Sequence, residues 1–323
     1  MTVRLSVIGL ERTGVSIGLT LADKSKAVCC LGYDPNPEIC KQVKKLGIFN
    51  KIAKNWQGAV SLEDMVMLAV PVDEIYATLK KIAPHLKPNT IVIDTSPLQI
   101  AVAAWVKELL PKDVYFIALT PMFNPAYLYE IGNSFKNARA DLFEKSLLVI
   151  TNAADTRGKI IDLAVNLAVL LGGVPYFADP YEVDGLLSAS KFLPQLTAAA
   201  IAMANFNQPG WQEGKKMAGS AFAYVTALLG EFEERNELGL SFIENRENMV
   251  RVINNVISAF TQLRQTIEAK DEQALKDLLV ELKEARLSWM EQRREGKWTY
   301  EIASSIPTKE QALKCFSNIG GSE

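Results

Sequence analysis

Histidine is nearly absent: the 323 residues contain one, His85. Imidazole is the side chain that titrates near neutrality without perturbation, so chemistry built on several histidines is excluded. Cysteine is sparse as well. Cys29, Cys30, Cys40 and Cys315 form neither a disulfide framework nor zinc-site spacing, so no metal is expected. An excess of either charge is missing: 35 Lys and Arg stand against 37 Asp and Glu, a formal net charge of -2. That balance suits neither a nucleic-acid nor a membrane partner. No continuous apolar run of membrane-spanning length is legible. No charged-then-apolar leader precedes the first strand. A cytoplasmic setting is the expectation.

What is present is an ordinary globular composition, 49% hydrophobic and 22% charged, in a chain long enough for two domains. The opening stretch from Val3 to Gly18, VRLSVIGLERTGVSIG, organises the rest. An apolar strand meets a tight turn at Gly9, and a helix follows near Gly14. That order opens a dinucleotide-binding βαβ unit, whose helix start offers N–H groups and a positive dipole to a diphosphate. The cofactor-binding candidates here are Gly9, Leu10, Glu11, Arg12, Thr13 and Gly14. The usual spacing is G-x-G-x-x-G. Glu11 stands at the middle glycine and opposes a diphosphate; Arg12 is beside it to answer that charge.

Strands are read at 5–9, 28–33, 65–70, 90–94, 114–119, 147–151 and 174–178, alternating with helices at 14–23, 37–46, 72–84, 100–110 and 156–171. Runs such as MVMLAV and TIVID suit strands covered on both faces, so a Rossmann-type doubly wound parallel sheet is expected. From Tyr181 onward helical periodicity takes over, with a loop at 206–216. The fold expected is α/β: a dinucleotide-binding domain over 1–178, then an all-α substrate and dimerisation domain over 179–323. The stripe Val250, Ile253, Ile257, Phe260, Leu263 and Ile267 points to a homodimer through the helical domain, weighed against packing within one chain.

Asp34 closes the second strand, 20 residues after Gly14. An acid there accepts hydrogen bonds from ribose hydroxyls and repels a 2′-phosphate, which favours NAD over NADP. The bland alternative is an acid that starts the turn before Pro35. Val70-Pro71 and Thr95 end the next two strands at the same carboxyl edge and complete the cofactor candidates. His85 lies between a crossover helix and the next strand, toward the opposite edge, so a structural or surface role is expected.

At these residues the chain resembles the prephenate and arogenate dehydrogenases, which make tyrosine precursors by NAD(P)-linked oxidative decarboxylation. The resemblance rests on VIGL and TGVSIGLTLA, LGYDPNPEICKQVKKLGI, LAVPVDEIYATLKKIAPHLKPNTIVIDTSP, and later FIALTPMFNP and VDGLLSASKFLPQLTAAAIA. It implies a Rossmann domain, a helical dimerising domain, a nicotinamide cofactor and a small-molecule substrate. The departures are systematic. The family's D-x-G-S-x-K run is DTSPLQ here, with Gln99 at the lysine. Its histidine before Pro-Met is Thr120. Its S-H-L-P-H run reads Lys191, Phe192, Leu193, Pro194, Gln195, and two arginine positions hold Ala223 and Ala227.

Oxidising an alcohol needs a group to take the hydroxyl proton. Lys191 and Gln195, one turn apart on a helix expected to face the cleft, are the catalytic candidates; the spacing is similar to the K-x-x-x-N helix of β-hydroxyacid dehydrogenases. A snorkelling surface lysine is the competing reading. Thr120 and Met122 are the substrate candidates, although Met122 equally suits a core. Trp289, Arg293, Arg294 and Trp298 read as a solvated helix end. Two functions stay open: an NAD-linked dehydrogenase of this type, with a changed substrate or with Lys191 as base, and a family member that binds ligand without turnover.

Overall fold

A computed structural model describes residues 3–24, 27–130, 132–152, 156–231, 237–296 and 306–319. The chain divides into two compact units, Met1–Tyr181 with Gln292–Glu323, and Glu182–Glu291.

The first unit runs β1 (Val3–Ile8), α1 (Arg12–Leu21), β2 (Val28–Tyr33), α2 (Pro37–Lys44), β3 (Lys51–Ile52), α3 (Trp56–Val60), β4 (Met65–Leu68), α4 (Val72–Ile82), β5 (Ile91–Asp94), α5 (Ile100–Leu109), β6 (Tyr115–Pro121), β7 (Leu147–Thr151), α6 (Gly158–Leu171) and β8 (Val174–Phe177). The sheet order is β3-β2-β1-β4-β5-β6-β7-β8. Leu5, Val7, Ile8, Met67 and Ile93 are fully buried, as strands covered on both faces require. Each contributes up to about 1.5–3 kcal/mol by leaving water. Pro37 opens α2 as expected, and the Asn36 side chain caps it by accepting the Glu38 N–H at 3.0 Å.

The Rossmann-type sheet followed by a helical region is as expected, with two corrections of detail. The sheet is parallel only from β3 to β6, because β7 pairs antiparallel with β6 and β8 runs parallel to β7. Among the described residues no crossover helix separates β6 from β7. The intervening loop holds only short 3-10 turns, so the chain re-enters the sheet from the edge it has just left. The second correction concerns the boundary: residues 179–323 do not form one helical domain. The last helix, Lys309–Ile319, packs on α6, with Ala312 and Phe316 fully buried in the core of the first unit. Its apolar face is wide enough to complete that core.

The second unit contains α7 (Pro180–Leu187), a π-turn at Ser188–Phe192, α8 (Leu193–Phe206), α9 (Trp211–Met217), α10 (Ser220–Thr226), α11 (Glu237–Glu244), α12 (Arg246–Glu268) and most of α13 (Glu272–Glu295). The stretch read as a loop at 206–216 contains α9. The Trp211 ring centroid lies 4.8 Å from that of Phe206 and 5.4 Å from that of Phe222, in tilted contacts that anchor the start of the helix. Pro180–Phe206, 27 residues with mean hydropathy 1.2 in its best window, is long and apolar enough to cross a membrane by length and composition. Charges at Glu182, Asp184 and Lys191 interrupt the run in sequence, which is why it is not legible there. Core helices of soluble proteins pass the same test.

Candidate functional site

The carboxyl edge of the sheet brings together the turn after β1, the end of β2 and the ends of β4 and β5. Gly9 has φ +93°, and a Cβ there would stand 2.5 Å from the Ala69 carbonyl oxygen. Gly14 lies so close to the turn that its Cβ would fall 1.8 Å from the Gly9 carbonyl oxygen. The two glycines therefore let strand, turn and helix meet at backbone contact.

Asp34 is buried beside that turn. Its Oδ2 accepts the Leu10 N–H at 2.8 Å and its Oδ1 accepts the Asn36 N–H at 2.8 Å. The acid thus starts the turn after β2, the alternative weighed from the sequence, and also ties that turn to the glycine turn. Each oxygen keeps further acceptor capacity. Leu10 is fully buried, and its N–H is committed to Asp34.

Arg12 is bound by the loop after β6. Its guanidinium is buried, pairs with Glu130 Oε2 at 3.2 Å, and donates to the carbonyls of Glu130 and Gly132 at 3.2 and 3.4 Å. It also stacks 5.3 Å from the Phe123 ring centroid. Burial lowers its pKa from the ordinary arginine value, while Glu130 acts the other way. Arg12 N–H, at the first turn of α1, donates to the Asn133 carbonyl at 2.7 Å. Glu11 and Thr13 are half-buried. The loop after β6 therefore packs against the helix start that a diphosphate would approach.

Val70 is buried and Pro71 caps α4; Thr95 is half-buried, its Oγ1 donating to the Leu68 carbonyl at 2.9 Å. Asp94 is fully buried at the end of β5. Burial pushes its carboxyl up to about 7, against the downward pull of the Ser96 hydroxyl at 2.5 Å. Its Oδ1 has no hydrogen-bond partner among the described residues.

Thr120 is closed off inside the sheet rather than presented to a ligand. It donates to the Ser96 carbonyl at 2.7 Å and accepts from Gln99 Nε2 at 3.0 Å. The short side chain proposed for substrate contact is thus held by the β5–α5 turn, through Ser96 and Gln99. Met122 is half-buried at the end of β6, its backbone held by Leu147 and Ser146. His85 is exposed in a 3-10 turn ahead of β5, away from this edge. Arg293, read as part of a solvated helix end, is half-buried and donates to the Phe123 carbonyl at 3.0 Å. Its long-range partner gave no signal in the sequence. Trp298 of the same cluster lies outside the described residues.

In the second unit, Lys191 keeps accessible surface but stands in dense surroundings. Desolvation lowers its ammonium from the ordinary lysine value, partly offset by Glu237. Gln195 is half-buried, and its Oε1 has no hydrogen-bond partner among the described residues. The turn through Lys191 is of π type, so a 3.6-residue period does not describe how the two side chains are spaced.

The glycine cradle and Asp34 fit a dinucleotide; Glu11 and the Asn133 contact narrow the approach to it. No group of three or more His, Cys, Asp or Glu side chains able to hold a metal occurs among the described residues.

The model of the prephenate dehydrogenase nucleotide-binding domain matches residues 17–176, beginning just after the glycine turn. The chain is similar to the cyclohexadienyl dehydrogenase of Zymomonas mobilis, 24% identical over 297 residues, covering 88% of this chain and 95% of that one. It is also similar to the prephenate dehydrogenase of Bacillus subtilis, 22% identical, covering 83% of this chain and 71% of that one. Among solved structures, the prephenate dehydrogenase of A. aeolicus, in complex with hydroxyphenyl propionate and NAD+, superposes with a TM-score of 0.76 at 21% identity, covering 89% of this chain and 98% of that one. The Synechocystis arogenate dehydrogenase gives 0.70 at 19% identity, covering 88% of this chain and 99% of that one. Residues 17–176 thus carry the nucleotide-binding domain of the prephenate dehydrogenase family, and the chain shares the fold of the prephenate and arogenate dehydrogenases along most of its length.

Proposed function

We propose that the chain is an NAD-dependent oxidoreductase of the prephenate or arogenate dehydrogenase type, acting on a small hydroxy acid. The observation that carries this reading is Asp34 locked beside the Gly9 turn through the Leu10 N–H at 2.8 Å. An acid placed there suits the free ribose hydroxyls of NAD better than the 2′-phosphate of NADP. The names of the relatives point to the same chemistry.

Bound NAD supplies the hydride acceptor. The chain's own part is to seat the diphosphate on the Gly9–Gly14 turn, with Thr13 and Glu11 around it, and to receive the ribose at Asp34. Val70, Pro71 and Thr95 line the same edge, and Met122 is the substrate-side candidate. Lys191 is the group of the helical unit suited to accept the substrate hydroxyl proton, because a lysine below its ordinary pKa is neutral more often. Gln195 is the polar side chain proposed beside it.

A second reading is a family member that binds such a ligand without turnover. It is favoured by the neutral pair of Gln99 and Thr120, which fills the places of the family's lysine and histidine. The deciding experiment supplies NAD with prephenate, arogenate or simple hydroxy acids and follows NADH. Formation lost in Lys191→Ala supports the first reading; NAD binding with no NADH from any of them supports the second.

We also read the protein as a cytosolic homodimer. Free thiols at Cys29, Cys30, Cys40 and Cys315 suit a reducing compartment. Val250, Ile257, Phe260 and Ile267 on α12 are each more than half exposed, an apolar stripe suited to a second copy.

A further inference from the structure

One irregular turn interrupts the helix from Pro180 to Phe206, and its cause lies on a neighbouring helix. We infer that Asn245, acting with Ser188, is a positioning residue that holds the π-turn Ser188–Phe192 in place and so sets the direction in which Lys191 leaves the helix.

The turn is closed by the Leu193 N–H reaching back five residues to the Ser188 carbonyl. One inserted residue rotates the helix on one side by about 100° relative to the other. The burial pattern follows that offset. Asp184, Ser188 and Phe192 are buried, while Lys191 stays accessible. Two features keep the extra residue in. Pro194 has no N–H, so the α-type bond to the Ser190 carbonyl cannot form. Asn245 clamps the start of the turn: its Nδ2 donates to the Asp184 carbonyl at 3.0 Å and to Ser188 Oγ at 2.8 Å. Ser188 Oγ itself donates to the Asp184 carbonyl at 2.6 Å.

Asn245 is the N-cap residue of α12, yet its side chain does not cap its own helix. Its amide is given to the neighbour instead. Asn248 Nδ2 donates to Asn245 Oδ1 at 2.9 Å and fixes which way that amide points. Ser188, Asp184 and Asn245 are 0%, 4% and 7% exposed, so the network is dry and rigid. The functional meaning of the device rests on the reading of Lys191 as proton acceptor; its geometry does not.

The test reads Lys191 directly, without substrate. The rate of acylation of each lysine by an amine-reactive reagent is followed against pH by peptide mass spectrometry. Lys215 and Lys216, both exposed, are the internal references. In the native protein Lys191 titrates below the ordinary lysine value. In Asn245→Ala, and in the milder Ser188→Ala, its profile moves toward the ordinary lysine value and its rate at fixed pH, relative to the two references, changes at least threefold. Ala202→Gly, a destabilising change in α8 that leaves the π-turn alone, keeps the native profile. An unchanged Lys191 profile in folded Asn245→Ala or Ser188→Ala overturns the inference. If Lys191→Ala left turnover intact, the catalytic reading would fail while the labelling result still stood.

Discussion

Gln99 Nε2 donates to Thr120 Oγ1 across 3.0 Å, and Gln99 Oε1 accepts from Thr151 Oγ1 at 2.6 Å. The amide thereby joins α5 to β6 and β7 at the place where the sheet reverses direction. Removing it in Gln99→Leu leaves buried polar groups short of partners, at a cost of about 1–3 kcal/mol. A lowered urea midpoint with an unchanged slope is the expected result. A native midpoint would show that the pair contributes nothing to stability.

Asp94 makes stability depend on pH. Its folded pKa, about 7, lies above the unfolded carboxyl value, so the native state holds its proton longer than the unfolded chain. The favourable contribution is fully present below the unfolded pKa and is lost as pH rises through about 7. Asp94→Asn should therefore melt higher than the native protein at pH 8 and near it at pH 4, with a difference at most on the order of 4 kcal/mol. Thermal melts across that range check it. Parallel pH profiles for the two proteins would remove Asp94 as the cause.

β3 and α3, two and five residues long, were too short to leave a local signal in the sequence. Most other strands and helices of the first half were legible because apolar runs and turn residues are such signals. Gly9, Gly14 and Asp34 were legible for the same reason. The direction of β7 was not, since it depends on the route of the loop after β6. Nor was the destination of Arg12, whose partner Glu130 is 118 residues away. Glu11 drew the sequence reading toward a local answer to its charge, and the long-range, part-buried pair with Glu130 left no mark near Arg12. Pro194 marks a helix irregularity in sequence, but Asn245, 57 residues beyond Ser188, gives no such mark.

Gly14→Ala tests the backbone contact of the turn. Its Cβ would sit 1.8 Å from the Gly9 carbonyl, so helix α1 must move away from β1. The expected loss exceeds the ~1–3 kcal/mol of ordinary overpacking. Gly210→Ala, where nothing lies within 4 Å, should change stability by less than about 0.5 kcal/mol. Chemical denaturation of both variants separates a packing requirement from a general intolerance of substitution; equal small losses would refute the close approach.

The exposed stripe on α12 predicts a mass twice that of one chain in sedimentation equilibrium. Ile257→Glu with Phe260→Glu places two charges in that stripe and should yield monomers that keep the native circular dichroism. A monomeric native protein, or a double variant that stays dimeric, would set the proposed interface aside.

The account stands most directly on whether the Gly9 turn takes a dinucleotide, and titration calorimetry of NAD and NADP into the purified protein measures it. The expected result is binding of NAD in preference to NADP, weakened at least about tenfold in Asp34→Ala, the loss of one charge-assisted hydrogen bond. Binding of neither nucleotide at millimolar concentration, by a protein shown to be folded, would contradict the proposed oxidoreductase.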